Sequence, residues 1–486
     1  MKVVVFSGGT ATNSLTPSFN QVSIDKGDDL TYVLPISDNG GSTSEILRVL
    51  GGPAVGDIRS RIVRLIQDSS LAHLFGYRLP SDPLEAKVEW NLVVEGAHKI
   101  WTDIPVESRD MCRPFLIHVQ AELLKKSKNS NPFHFEKASI GNLFLTGVRL
   151  FLGSLDASIE LMLRVGRCSS HLNVVPCINT NHTHHISALL LNGEVITGQS
   201  QISHPSKPLK RQAAGNETPR NKKMRLTNSD EESSISGDAT PSVIMKDKFV
   251  QLINNDSESG KPSESPVPDV GGLLESQNMN DFTDTEEEEF ANPISILPVL
   301  KESQINFDKM DDCTLPAPIK RILYINPYGE EIRPIGNPRV VSKIKKADML
   351  VYSIGSLMTS LLPVVILGNI ADVICETKNL KKVLLVNNKY DRETFFMSGS
   401  AYIKILVDSM SRAIINYRKH KGIHRSSSKS KNLEWKDFFT DIVFLSEGEI
   451  KMNETQLSKK GIRCHIIEGD KMENDALAQV LEKIAS

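Results

Sequence analysis

Apolar residues in this chain fall into two arrangements, short unbroken runs and longer stretches with helical spacing, and the two alternate. Residues 2–6 (KVVVF) make a run that stops at Ser7-Gly8-Gly9, and residues 30–36 (LTYVLPI) make another that ends at Ser37-Asp38-Asn39-Gly40-Gly41. Runs without polar alternation belong to strands buried on both faces. Helical spacing follows over residues 42–50 and again from Gly56-Asp57 to Ile66. Residues 139–152 (SIGNLFLTGVRLFL) are apolar enough for a buried helix. Shorter strands are predicted over residues 173–179 and 185–191, with Asn192-Gly193 as a hairpin turn.

Beyond residue 204 the periodicity nearly vanishes. From 205 to 318 Ser, Asn, Pro, Asp and Glu dominate, and such a stretch cannot bury enough apolar surface to offset its conformational entropy. The sequence therefore predicts a disordered insertion there, with residues 294–300 and 305–307 apolar enough to dock as short strands. Strand patterns return at 319–325, 348–353 and 382–386, then at 442–445 and 464–467. Helices are expected over 400–419 and 475–484. Strands alternating with helices on both sides of the insertion imply an α/β fold: one mostly parallel sheet between two helical layers. Residues 1–204 form its first part and residues 319–486 the second.

Composition changes this picture little. The chain has 486 residues, 40% of them hydrophobic, and a net charge of -2, which is not the balance of a nucleic-acid coat. Its six cysteines form no CxxC pair and their scatter suits reduced thiols. The chain opens directly into a strand without a signal-like apolar segment, and its longest apolar runs are too short to span a bilayer. The expected location is the cytoplasm or the nucleus, with no membrane or nucleic-acid partner.

The chemistry sits in the loops that end the strands. Gly8-Gly9-Thr10, with Asn13 beyond, lets the backbone approach an anion while the next helix presents N–H groups. The same residues also suit a plain turn. Asp38-Asn39-Gly40-Gly41-Ser42 pairs a carboxylate with glycines and a hydroxyl, which suits a divalent cation on phosphate oxygens; an N-cap aspartate with a glycine turn is the alternative. Gly56-Asp57-Ile58-Arg59-Ser60-Arg61 sets a second acid beside two arginines, a match for phosphate or a solvated helix start. Ser139-Ile140-Gly141-Asn142 and Gly355-Ser356-Leu357-Met358-Thr359-Ser360 add small residues, an amide and hydroxyls at helix starts, and Asn387-Asn388 follows a later strand.

Taken in order, these segments resemble the family of CofD, the 2-phospholactate transferase of deazaflavin coenzyme synthesis, and of its bacterial relative YvcK. The shared pattern is Gly8-Gly9-Thr10, Asp38-Asn39-Gly40-Gly41-Ser42, Gly56-Asp57-Ile58-Arg59, Ser139-Ile140-Gly141-Asn142, Gly355-Ser356-Leu357-Met358-Thr359-Ser360 and Glu393-Thr394. The resemblance implies a Rossmann-like fold and a cleft for a nucleotide diphosphate. It places a Mg²⁺ site on Asp38 and Asp57, and it makes these two and Arg59 the catalytic set. Ligand contacts are expected at Gly8, Gly9, Thr10 and Asn13, at Asn39, Gly40, Gly41 and Ser42, and at Asn142, Gly355, Ser356 and Thr359. On that view Mg²⁺, Arg59 and helix N-termini stabilise a transferring phosphoryl group, and no protein nucleophile is needed. Three departures stand out: Ala11 replaces a glycine, Ser60 an asparagine, and Ser353-Ile354 a Gly-Pro pair. The Asp38-Asn39-Gly40-Gly41 loop is also closer to the YvcK branch of nucleotide-sugar-binding regulators, so a non-catalytic sensor is the alternative to a transferase.

The insertion carries its own pattern. Lys210-Arg211 and then Lys222-Lys223-Met224-Arg225 fit a bipartite nuclear-import signal, Ser229-Asp230-Glu231-Glu232 resembles an acidophilic kinase site, and an acidic block covers residues 286–289. A charged, solvated tether would look the same. The partners the sequence admits are thus a nucleotide diphosphate or nucleotide sugar, a nuclear import receptor, and a second copy of the chain as a homodimer. Asn181-His182-Thr183-His184-His185 lacks nearby acids or cysteines at ligand spacing, and zinc is not expected there.

Overall fold

The computed structural model describes residues 1–8, 11–37, 40–127, 132–203, 315–395, 397–422 and 433–486. Most of the expected insertion, with its basic and acidic blocks, lies outside the described residues.

Three strands form before the insertion that belong to the main sheet: β1 (Val3–Phe6), β2 (Leu30–Leu34) and β3 (Leu172–Pro176). Next come β4 (His185–Leu190) and β5 (Val195–Thr197), and after it β6 (Ile319–Ile325) and β7 (Glu331–Ile332). The chain ends with β8 (Met349–Tyr352), β9 (Lys381–Leu385), β10 (Asp441–Leu445) and β11 (Arg463–Ile467). The main sheet is parallel throughout, in the order β11-β10-β9-β8-β1-β2-β3. Val5 at its centre pairs with Tyr32 on one side and Val351 on the other.

The continuous apolar runs are explained by this placement. Every residue of β1, β2 and β8 is buried, since helices cover both faces of a parallel sheet. Each fully buried Val, Leu or Phe there contributes roughly 1.5–3 kcal/mol through the area it removes from water. The helix Thr16–Val22 packs on the closing helix Asn474–Ala485, and Ser18 Oγ donates to Asn474 Oδ1 at 2.7 Å, so the two ends of the sequence meet on the sheet.

One strand departs from expectation. Residues 319–325 do form a strand, but β6 joins a separate antiparallel sheet in the order β5-β4-β6-β7. The reason is the connections. β4 turns into β5 through the Asn192-Gly193 hairpin, where Gly193 N–H donates to the Leu190 carbonyl at 3.1 Å. β6 turns into β7 through a tight loop in which Gly329 N–H donates to the Asn326 carbonyl at 3.0 Å. Neither link has room for the crossover that a parallel pair requires. Ahead of β6, Leu315 and Ala317 already pack against the core.

Candidate ligand site

The strand order of the main sheet reverses at β1: β2 and β3 lie to one side, β8 through β11 to the other. Ligands of open α/β sheets bind outside the carboxyl ends of strands at such a point, because the loops diverge and leave a crevice. Here the diverging loops follow β1 and β8, and they are locked to one another. Thr12 Oγ1 donates to the Ile354 carbonyl at 2.8 Å, and a Cβ added to Gly355 would stand 3.5 Å from the Gly8 carbonyl. Gly355 has φ +139°, which a side chain would strain, and Asn387 at the end of β9 clamps it. Asn387 Oδ1 accepts from Gly355 N–H at 3.0 Å, and its Nδ2 donates to the Gly355 carbonyl at 2.7 Å.

From the β1 loop the network passes to the helix Gly56–Leu65. Asn13 Nδ2 approaches Ser60 Oγ at 3.5 Å, and Arg61 donates to Ser7 Oγ at 2.8 Å and to Thr16 Oγ1 at 3.1 Å. Arg59 Nε then donates to Asn142 Oδ1 at 3.2 Å, at the start of the helix Ile140–Leu152. Asn142 Nδ2 donates in turn to Ser42 Oγ at 3.0 Å and reaches Thr43 Oγ1 at 3.4 Å, in the first turn of the helix Gly41–Leu50. Six segments, the loops after β1, β8 and β9 and the starts of three helices, are thereby joined at one end of the sheet. Asp57 is buried in this group, and its charge helps hold Arg61 protonated against the burial that pulls its pKa down.

Several expected contacts find their place here. Asp57, Arg59, Asn13, Asn142 and Ser42 stand on the connected segments, with Gly40 as the residue before the helix Gly41–Leu50 and Gly41 at φ +55° in open space. Gly9, Thr10, Asp38 and Asn39 lie outside the described residues. Gly8 has a packing reason for being glycine: a Cβ there would meet Ser360 Cβ at 2.3 Å. Arg61, read from the sequence as a second phosphate-binding arginine, is fully buried with its guanidinium on the Tyr32 ring. Ser356 and Thr359 stand in the loop after β8, but both hydroxyls donate to the Glu393 carboxylate. Glu393 was legible only as part of a family pattern, since nothing in the sequence around it marks a buried acid.

The strand ends keep unmet hydrogen-bonding capacity. Ser37 Oγ after β2, Ser353 Oγ after β8 and Asn13 Oδ1 are buried with no hydrogen-bond partner among the described residues. Buried polar groups are almost always paired, which sets these three atoms apart from most of the interior.

The fold and the loops at this end of the sheet define an α/β protein of the CofD type. The chain belongs to the CofD family: the profile described as "2-phospho-L-lactate transferase CofD" matches residues 3–483. It is 59% identical over 486 residues to the uncharacterized protein YNL011C of Saccharomyces cerevisiae, covering 100% of this chain and 99% of the other. A gluconeogenesis factor of Listeria monocytogenes is 33% identical over 94 residues, or 19% of this chain and 28% of that protein. Among solved structures, protein BH3568 of Bacillus halodurans, described as a member of the UPF0052 family, superposes with a TM-score of 0.53. That match covers 100% of this chain and 99% of the other at 16% identity, a likeness of fold.

Proposed function

We propose that the crevice at the β1/β8 reversal binds a nucleotide diphosphate conjugate and that the chain transfers a phosphoryl-linked group from it to a hydroxyl acceptor. The observation that carries the reading is the hydrogen-bonded chain Ser42–Asn142–Arg59, which sets an amide, a hydroxyl and a guanidinium beside the switch point of a CofD-family sheet. Arginine offers paired donors to phosphate oxygens, and here its Nε is already held by Asn142, so its direction is fixed before a ligand arrives. The group's charge would develop against Arg59 and the amino end of the helix Gly41–Leu50, with no protein nucleophile.

A hard divalent cation fits the donor chemistry. The site offers oxygen ligands, with Asp57 as the buried carboxylate, and Mg²⁺ is commonly held by one or two carboxylates together with substrate phosphates. Asp57, with Asp38 from the loop after β2, would hold it, and when bound it neutralises charge on the diphosphate.

A second reading is a nucleotide-sugar sensor without turnover, favoured by the local likeness to the gluconeogenesis factor. One experiment separates the two. The protein is incubated with GTP- and UDP-derived conjugates, Mg²⁺ and flavin-like hydroxyl acceptors, and release of nucleoside monophosphate is followed. Acceptor-dependent release that disappears in Asp57→Asn is the expected result. Tight binding without release makes the chain a sensor, and no binding of any phosphorylated ligand removes both readings.

A further inference from the structure

The loop after β8 looks, in sequence, like one more phosphate cradle: glycine, two hydroxyls and a helix start. Its chemistry is already satisfied from within. Ser356 caps the π-helical turn Leu357–Leu361 by accepting from Thr359 N–H at 3.0 Å. Glu393 reaches the same turn from the segment after β9. Its Oε2 accepts from Met358 N–H at 3.1 Å and from the Ser356 hydroxyl. Its Oε1 accepts from the Thr359 hydroxyl at 2.8 Å and from the Ser203 hydroxyl at 2.6 Å. All three hydroxyls lie within hydrogen-bonding reach of this carboxylate, and Thr359 Oγ1 also contacts the Ser356 and Ser203 hydroxyls, so the four side chains form one closed polar cluster. One backbone N–H at a helix start and three hydroxyls are what such a loop would otherwise offer to a phosphate.

The carboxylate is placed there by its own turn. Asp391 Oδ1 accepts from the N–H groups of Glu393 at 3.0 Å and Thr394 at 2.9 Å, and from the Thr394 hydroxyl at 2.6 Å. Glu393 is only 5% exposed, so water does not compete for it. Burial and the Asp391 charge push its pKa up, and the hydroxyl donors pull against that shift.

We propose that Glu393 is an intramolecular anion filling the amino end of the helix after β8, so that Ser356 and Thr359 take no ligand phosphate and hold that carboxylate instead. On the reading of a diphosphate ligand, which this inference deepens, the phosphate contacts then fall to the Ser42–Asn142–Arg59 side of the crevice. Ser203, at the end of the helix Gln199–Ser203, is tied to the same carboxylate.

Two measurements on the full chain test this. The first needs no ligand: thermal melting of Glu393→Ala with added sodium acetate, against sodium chloride at equal ionic strength. Acetate should raise the melting temperature of the variant, or restore a cooperative transition if it is lost, and leave wild type unmoved. Equal effects of acetate and chloride on the variant overturn the assignment. The second is the dissociation constant for UDP and for GDP with Mg²⁺ in Ser356→Ala, Thr359→Ala and Ser42→Ala. The first two should change affinity less than about twofold and the third weaken it about tenfold, the scale of one lost charge-assisted hydrogen bond. Loss in Ser356→Ala equal to that in Ser42→Ala overturns the proposal. If wild type binds neither nucleotide, it is the diphosphate reading that fails, and the acetate experiment still decides the role of Glu393.

Discussion

The Arg61 guanidinium lies 4.4 Å from the centre of the Tyr32 ring, and the side chain has no solvent exposure. Its donors go to Ser7 and Thr16, so one buried cation fixes the end of β1 and the start of the helix Thr16–Val22 to the helix Gly56–Leu65. Arg61→Met should cost roughly 1–3 kcal/mol, because it leaves the buried hydroxyls of Ser7 and Thr16 without the donor they accept from. Arg61→Lys should restore only part, since an ammonium neither stacks on the ring nor reaches two hydroxyls in one plane. Urea denaturation of the three proteins measures both effects, and a Lys variant as stable as wild type would show that charge alone matters here.

Asn142 is the only residue described that both accepts from Arg59 and donates to Ser42. Asn142→Ala removes both bonds in a site 1% exposed and should destabilise by roughly 1–3 kcal/mol. Asn142→Asp keeps the Arg59 contact and loses the donors to Ser42 and Thr43. It should therefore be the more stable of the two variants and still bind diphosphate poorly. Denaturation and titration calorimetry on the same samples separate the two effects.

Gly141 allows the helix Ile140–Leu152 to touch its neighbour, since an added Cβ would stand 2.3 Å from the Phe75 carbonyl. A backbone atom cannot swing away as a side chain could, so Gly141→Ala should cost about 1–3 kcal/mol. Gly153, at the far end of that helix, has open space around it and only its φ of +67° against it. Gly153→Ala should cost about 1 kcal/mol, near the ordinary penalty for a left-handed residue. Comparable losses at the two positions would remove the close-packing argument.

Acid should destabilise the protein through β4. Burial pushes the pKa of both His184 and His185 down to about 4, from an ordinary value near 6.5. In that window the unfolded chain binds protons that the folded chain refuses, so stability is full above about pH 6.5 and falls as the pH drops toward 4. Replacing both histidines by Gln should lower stability at pH 7.5 and flatten its decline to pH 5. An unchanged slope would place the acid sensitivity elsewhere.

The sheet was largely legible in the sequence, because strands buried on both faces read as unbroken apolar runs such as residues 2–6 and 382–386. Several helices were not, Leu155–Val165 and Gly368–Glu376 among them, and two others show why. Val106–Lys126 buries only the narrow stripe Ser108, Cys112, Leu116, Val119 and Leu123, while Met111, Ile117 and Leu124 face outward and Pro114 interrupts the pattern. Pro83–Glu95 buries Ala86, Trp90 and Val93, with Leu84 and Val88 exposed. Apolar residues on both faces blur the helical period that a sequence shows. At the site, the glycine loops and Asn142 were visible as motifs. The partners that decide their roles, Arg61 on Tyr32 and Glu393 on Ser356, depend on contacts across long sequence separations and leave no local mark.

Both sheets draw strands from before residue 204 and from after residue 314: β1 pairs with β2 and with β8, and β4 pairs with β5 and with β6. Severing the backbone between those points therefore does not cut the molecule into two domains. It yields two interdigitated polypeptides, each holding strands that the other needs to close its hydrogen-bonded edge. Such a nicked protein is expected to stay together as a complex of its own fragments, whereas either fragment made alone would expose an open edge of apolar strand, the kind of edge that templates aggregation.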